Sequence, residues 1–268
     1  LAWFQMTALA FLLAQLRLGT RTLRSVWPYL LMVIAPFTMG ESKVVVLMLP
    51  LCLVGVYFEQ LLRQPMRLLA FGAVGAFATF GLALLYAEVF VGSSLPDVIN
   101  DTIRYNFQDV GYGTNLLNRW TALLFWAENH NSSNLNTLLF GHGLSASYSS
   151  LTPGESGNVA ARYIGLGIDL SAASTLLWDL GVIGLTFMVS ILLVAIGTAT
   201  RLSHRHPDPQ VRADAVGIRT GLALLMLYFP YNNSAVNLIT TEVLLAALLG
   251  YLAVLTQSHG QAPDVPHG

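Results

Sequence analysis

Residues 173–200 read ASTLLWDLGVIGLTFMVSILLVAIGTAT, with Asp179 the single ionisable side chain in the run. A stretch of that length and apolarity exceeds the roughly 20 residues that cross a bilayer core. Similar runs lie at about 1–16, 27–39, 44–58, 68–92, 218–230 and 235–256, giving seven candidate spans. Those at 1–16, 27–39, 44–58 and 218–230 are short, which leaves them either extended by polar ends or re-entrant. The expected fold is all-α: a polytopic helical membrane protein of about seven transmembrane helices. Membrane helices are expected over 1–92 and 173–256, a large outer loop with short helices over 93–172, and a disordered tail over 257–268.

Composition agrees. Of 268 residues, 54% are hydrophobic and 10% charged, against roughly 25% charged in an ordinary soluble domain. Mean hydropathy is +0.61. A formal net charge of -1 removes any generally basic surface for nucleic acid. Cys52, the one cysteine, sits in an apolar run and reads as a buried, inert thiol. The chain starts at Leu1 inside an apolar run, without initiator Met or basic leader, so a fragment or processed chain lacking earlier helices is expected.

Arginines orient the spans. Arg17, Arg21, Arg24, Arg63, Arg67, Arg201, Arg205, Arg212 and Arg219 all fall on one side of an alternating seven-span chain, the expected cytoplasmic side with the C-terminus. The other side receives Lys43 and the polar segment 93–171 with Arg104, Arg119 and Arg162. The connection with His204, His206 and Asp208 reads as a solvated loop in preference to a metal site.

Within the polar segment, Ser94-Leu95-Pro96-Asp97 is a helix start, and Ile99, Ile103 and Phe107 repeat at four-residue spacing, as on a helix lying at the membrane face. Arg104 beside that stripe suits either a headgroup contact or catalysis. After Gly111-Tyr112-Gly113, a second helix carries Leu116, Trp120, Leu123, Leu124 and Ala127 on one expected apolar face and ends at Glu128-Asn129-His130-Asn131. Arg119 lies close to that face, a costly place for a cation without an anionic partner. Gly141-His142-Gly143 sets an imidazole in a tight turn. Residues 145–158 read as a mobile flap, and Gly165-x-Gly167 as a weak phosphate-loop signal. Arg162 and Asp169 flank the next span, while Asp179 and Glu242 inside spans suit either function or structural pairing.

The order Ser42-Lys43, Asn118-Arg119-Trp120, Gly141-His142-Gly143-Leu144 and Trp178-Asp179-Leu180-Gly181-Val182-Ile183-Gly184 resembles the O-antigen ligase and polymerase superfamily over about residues 37–193. These bacterial inner-membrane enzymes transfer or extend glycans carried on undecaprenyl pyrophosphate. The resemblance places Lys43 where the family has Arg and Asn118 where it has Gly. The ligase branch's His-Asn pair falls on Leu170 and Ser171, which tilts the reading toward a repeat-unit polymerase.

The resemblance implies a glycosyltransferase that needs no metal and no cofactor. Lys43, Arg104, Arg119 and Arg162 are its candidates for pyrophosphate binding. Arg119 and Arg162, with His142 as general base and Asp169 as second choice, are the catalytic candidates. Tyr112 and Trp120 are candidates for stacking on sugars, although packing is the stronger reading for Trp120 and Trp126. The implied partners are an undecaprenyl-pyrophosphate-linked glycan, the lipid bilayer, and a chain-length regulator or flippase. A transporter would place polar residues mid-span with internal repeats, and a scaffold would leave Arg119 and Arg162 without a purpose.

Overall fold

The computed structural model describes residues 2–39, 43–63, 94–108, 115–130, 134–150 and 154–260, with isolated positions 66, 73, 77, 80, 81, 84, 88, 92, 111 and 152. The helices are α1 Ala2–Arg17, α2 Leu23–Met39, α3 Lys43–Arg63, α4 Leu95–Phe107, α5 Arg119–Asn129, α6 Leu135–Phe140, α7 Ala172–Arg205, α8 Pro209–Tyr228, α9 Ser234–Asn237 and α10 Ile239–Gly260. Among the described residues there is no strand, so the chain is all-α as expected. Two helices are long and apolar enough to cross a membrane, α7 and, over Ile239–Gln257, α10; Met48–Leu61 is a shorter apolar stretch. The expected span 68–92 falls almost wholly outside the described residues. Helix α10 runs to Gly260, so the first residues of the expected tail are helical.

The chain forms two compact units. The first comprises Leu1–Ala83, Leu192–Leu225 and Val243–Gly268. Here α1 packs on α2 and α3. Helix α8 approaches α1 and α3 through glycines: a Cβ on Gly221 would stand 2.8 Å from the Thr7 methyl, one on Gly217 2.7 Å from the Phe11 ring, and one on Gly55 2.7 Å from Thr220. Gly217-x-x-x-Gly221 is thus a small-residue contact stripe of the kind that lets apolar helices pack closely. The Trp3 indole N–H donates to Gly221 O at 2.7 Å. Charges at the helix ends are neutralised locally. Glu59 accepts Arg17 at 2.9 Å and Arg219 at 3.0 Å, with His204 Nε2 3.4 Å away. The Asp214 carboxylate accepts the Tyr251 hydroxyl at 2.7 Å.

The second unit comprises Leu84–Ile191 and Met226–Glu242 and contains most of the expected outer loop. Its core is Trp126, Ala146, Val159, Ala160, Ile168, Leu177 and Trp178. Helix α4 begins as the sequence dictates, with the Ser94 hydroxyl accepting Asp97 N–H and proline in its first turn. Ile99 and Ile103 stand exposed on it.

Helix α5 differs from expectation in the face it buries. Arg119, Ala122 and Trp126 point inward, while Leu116, Trp120, Leu124 and Ala127 are exposed. The reason is Trp126, which packs into the core beside Trp178 and sets the helix rotation.

Candidate functional site

Asn118, where the resemblance expects Gly, is the N-cap of α5. Its side-chain oxygen accepts Trp120 N–H at 3.0 Å and Thr121 N–H at 2.8 Å, and the Thr121 hydroxyl accepts Asn118 N–H at 2.8 Å. This reciprocal cap fixes the first turn of the helix, where Arg119 stands. The Arg119 side chain is buried, and its Nε–H donates to the carbonyl of Tyr231. Its guanidinium carbon lies 4.3 Å from the centre of the Tyr231 ring. Arg119 therefore anchors the turn between α8 and α9 in addition to any part it plays toward an anion. That turn continues the chain of contacts: Asn233 Nδ2–H donates to Asp169 O at 2.8 Å, and Asn232 O accepts Ala172 N–H at 3.1 Å.

Gly141-His142-Gly143 docks on a break in α7. Gly181 interrupts the helix with φ 68°, so the carbonyls just before it are free to accept from another segment. Trp178 O accepts His142 N–H and Asp179 O accepts Gly143 N–H, both at 2.9 Å. The Asp179 carboxylate then accepts Ser145 N–H and Ser147 N–H, both at 2.8 Å, through different oxygens. The Asp169 carboxylate accepts Ser149 N–H and the Ser149 hydroxyl, both at 3.1 Å. The start of the expected mobile flap is accordingly tied down by two buried carboxylates, which take alternate backbone N–H groups along it. Asp169 is engaged there as a loop anchor. Burial pushes its pKa above the ordinary carboxylate value, against the pull of its Ser149 hydrogen bonds.

His142 is partly buried, and its Nε2 lies 3.1 Å from Nε2 of His130. Burial first, then the neighbouring His130 and Arg162, hold its pKa below the ordinary imidazole value; Asp179 pulls weakly the other way. An imidazole so placed keeps a free lone pair near neutral pH. Arg162, on a 3-10 turn at Ala160–Arg162, is exposed and its side chain has no hydrogen bond or ion pair among the described residues. The neighbouring Gly165-x-Gly167 serves backbone pairing: Leu116 N–H donates to Gly165 O and Leu117 N–H to Leu166 O, both at 3.0 Å. Both glycines have positive φ, and a Cβ on Gly167 would stand 2.6 Å from the Asn115 side chain. This pairing accounts for the motif that resembled a phosphate loop.

Arg104 is exposed on α4, and Trp120 is exposed on α5. Tyr112, Ser42 and the side chain of Lys43 lie outside the described residues. Among the described residues no three His, Cys, Asp or Glu side chains group as metal ligands. The sequence reading missed His130 as a site residue. Its signal was the four-residue spacing from Trp126, whose ring it stacks on.

Comparison with known proteins finds no matching family model, no matching curated protein and no matching solved structure.

Proposed function

We propose that this chain is a membrane glycosyltransferase that polymerises undecaprenyl-pyrophosphate-linked oligosaccharide units, with seven spans in a bacterial inner membrane and the loop over 93–172 outside it. The observation that supports this most is the pairing of functions in the second unit. It holds arginines suited to a pyrophosphate and an imidazole, His142, whose Nε2 lies 3.1 Å from that of His130 and whose pKa is held below the ordinary imidazole value by burial first, then by His130 and Arg162. In this reading an acceptor sugar hydroxyl gives its proton to His142 while its oxygen attacks the anomeric carbon of the donor. The bond from that carbon to the pyrophosphate breaks, and Arg162 and Arg119 stabilise the charge that collects on the leaving group. The exposed Trp120 ring offers a face for a sugar. The site reading covers Arg119, Arg162, His142 and Trp120, and Lys43 and Arg104 would extend the anion-binding group.

The test is the length distribution of lipid-linked and surface glycan in a deletion strain complemented with wild type or Arg162→Ala at matched membrane levels. Loss of long chains, with single repeat units persisting on the carrier, supports a polymerase. Long chains accumulating on the carrier would instead indicate the ligase. An unchanged profile overturns the glycosyltransferase reading.

A further inference from the structure

Two imidazoles meet inside an aromatic enclosure. His130 caps the C-terminus of α5 and is buried. Its ring stacks on Trp126 with centroids 4.8 Å apart and meets Trp178 edge-on at 4.8 Å. His142 lies against the same Trp178 ring at 5.8 Å. The His130 Nδ1 stands 2.9 Å from the carbonyl oxygen of Trp126, and its Nε2 stands 3.1 Å from the His142 Nε2.

These contacts assign the hydrogens. A carbonyl oxygen only accepts, so His130 Nδ1 carries a hydrogen. In a neutral ring the His130 Nε2 is then bare, and the hydrogen between the two rings belongs to His142 Nε2. A neutral His142 has no second hydrogen, which leaves the lone pair on its Nδ1. That atom has no hydrogen-bond partner among the described residues. The opposite assignment requires a cation on the buried His130 ring. No carboxylate forms an ion pair with either ring among the described residues, and a buried charge without a partner is expensive. The charged groups acting on His142 are Arg162, which disfavours a second cation, and Asp179, whose two oxygens already accept Ser145 and Ser147 N–H.

We infer that His130 is a positioning residue that sets the tautomer and ring orientation of His142, so that His142 presents an unprotonated Nδ1. Its use rests on the glycosyl transfer proposed above, where Nδ1 takes the acceptor hydroxyl proton. The oxygen's electron pair forms the new glycosidic bond, and the pyrophosphate leaves with the electrons of the old one. His142 then becomes an imidazolium that keeps its Nε2–H on His130, whose bare nitrogen accepts throughout. The tautomer itself is independent of which acceptor binds.

The test is long-range proton–nitrogen NMR of the full chain, labelled with 15N histidine and held in lipid nanodiscs at pH 7.5. The two rings are assigned with His142→Asn and His130→Phe. In the wild type His142 is expected to show a protonated Nε2 and an unprotonated, pyridine-like Nδ1. His130→Phe removes the acceptor, and the His142 shifts should move toward the averaged values of a free imidazole. His130→Gln supplies an amide oxygen as acceptor and should restore them, which a loss of fold would not.

A protonated Nδ1 on His142 in the wild type, or shifts unmoved by His130→Phe, overturns the inference. So does one transition-metal ion bound per purified chain and lost in His130→Phe. An unchanged glycan profile in the complementation assay, with the NMR pattern intact, sinks the transfer reading alone.

Discussion

Gly141 and Gly181 meet backbone to backbone, such that a Cβ added to Gly181 would stand 2.7 Å from the amide nitrogen of Gly141. A Cβ on Gly141 would stand 2.5 Å from the carbonyl carbon of Asp179. Both residues have positive φ with ψ near the extended limit, a region open to glycine and costly for other residues. Gly141→Ala and Gly181→Ala should each destabilise the second unit by about 2 kcal/mol or more, since conformational strain and steric overlap act together. The double substitution should cost less than the sum, because the two changes break one shared contact. Thermal unfolding in detergent of the two single variants and the double variant checks this. Gly143→Ala is the control, since its Cβ would meet nothing within 4 Å despite a φ of 103°.

Asp179 is held by the same junction. Its carboxylate is buried and accepts two backbone N–H groups. Asp179→Asn keeps the shape but turns one acceptor into an N–H donor facing another N–H. Leaving such a buried group unsatisfied costs about 1–3 kcal/mol. Hydrogen exchange over residues 143–149 should accelerate more than exchange in α1 or α3, and equal acceleration throughout would contradict a local anchoring role.

Two groups of the second unit should give stability opposite pH dependences. The raised Asp169 pKa means that its contribution is present below the ordinary carboxylate range and lost as pH rises through the raised value. The lowered His142 pKa means that its contribution is present above the ordinary imidazole value and lost as pH falls through the depressed one. Between pH 4 and 7 the melting temperature of Asp169→Asn should therefore gain on that of wild type as pH rises. For His142→Asn the gain should come as pH falls below about 6.5. Melting curves across that range check both signs.

What the sequence revealed and what it withheld divide along the range of the interactions. The start of α4 was legible because Ser94, Pro96 and Asp97 act on backbone groups within one turn. The glycine turn around His142 was legible for the same reason. The buried face of α5 was not, because Leu124 and Trp126 are both apolar and only the position of Trp178, far along the chain, selects between them. Asp169 read as chemistry, and Asp179 as either function or structural pairing, because a carboxylate beside or within an apolar run has no local partner; their partners are N–H groups of a segment with no periodicity. The need for small residues at Gly217 and Gly221 was not legible, since Thr7 and Phe11, which impose it, lie some 200 positions away.

Arg119 and Arg162 separate structure from chemistry. The family resemblance implies that Arg119→Ala abolishes glycan extension and spares membrane abundance. The contact of Arg119 with the Tyr231 carbonyl and ring changes that expectation. Truncation should loosen the turn between α8 and α9, where Asn233 also holds Asp169 O, and so lower abundance as well as activity. Arg119→Lys should recover little of either, because an ammonium lacks both the planar donor fork and the flat face that lies over the ring. Arg162 is exposed, and substitutions at such positions move stability by about 0.5 kcal/mol or less. Arg162→Ala should leave abundance and melting temperature at wild-type levels while shortening the glycan. Immunoblots of membrane fractions beside glycan gels read both quantities in the same cells. An Arg162→Ala strain with full-length glycan would remove this arginine from the leaving-group site, whatever Arg119→Ala does.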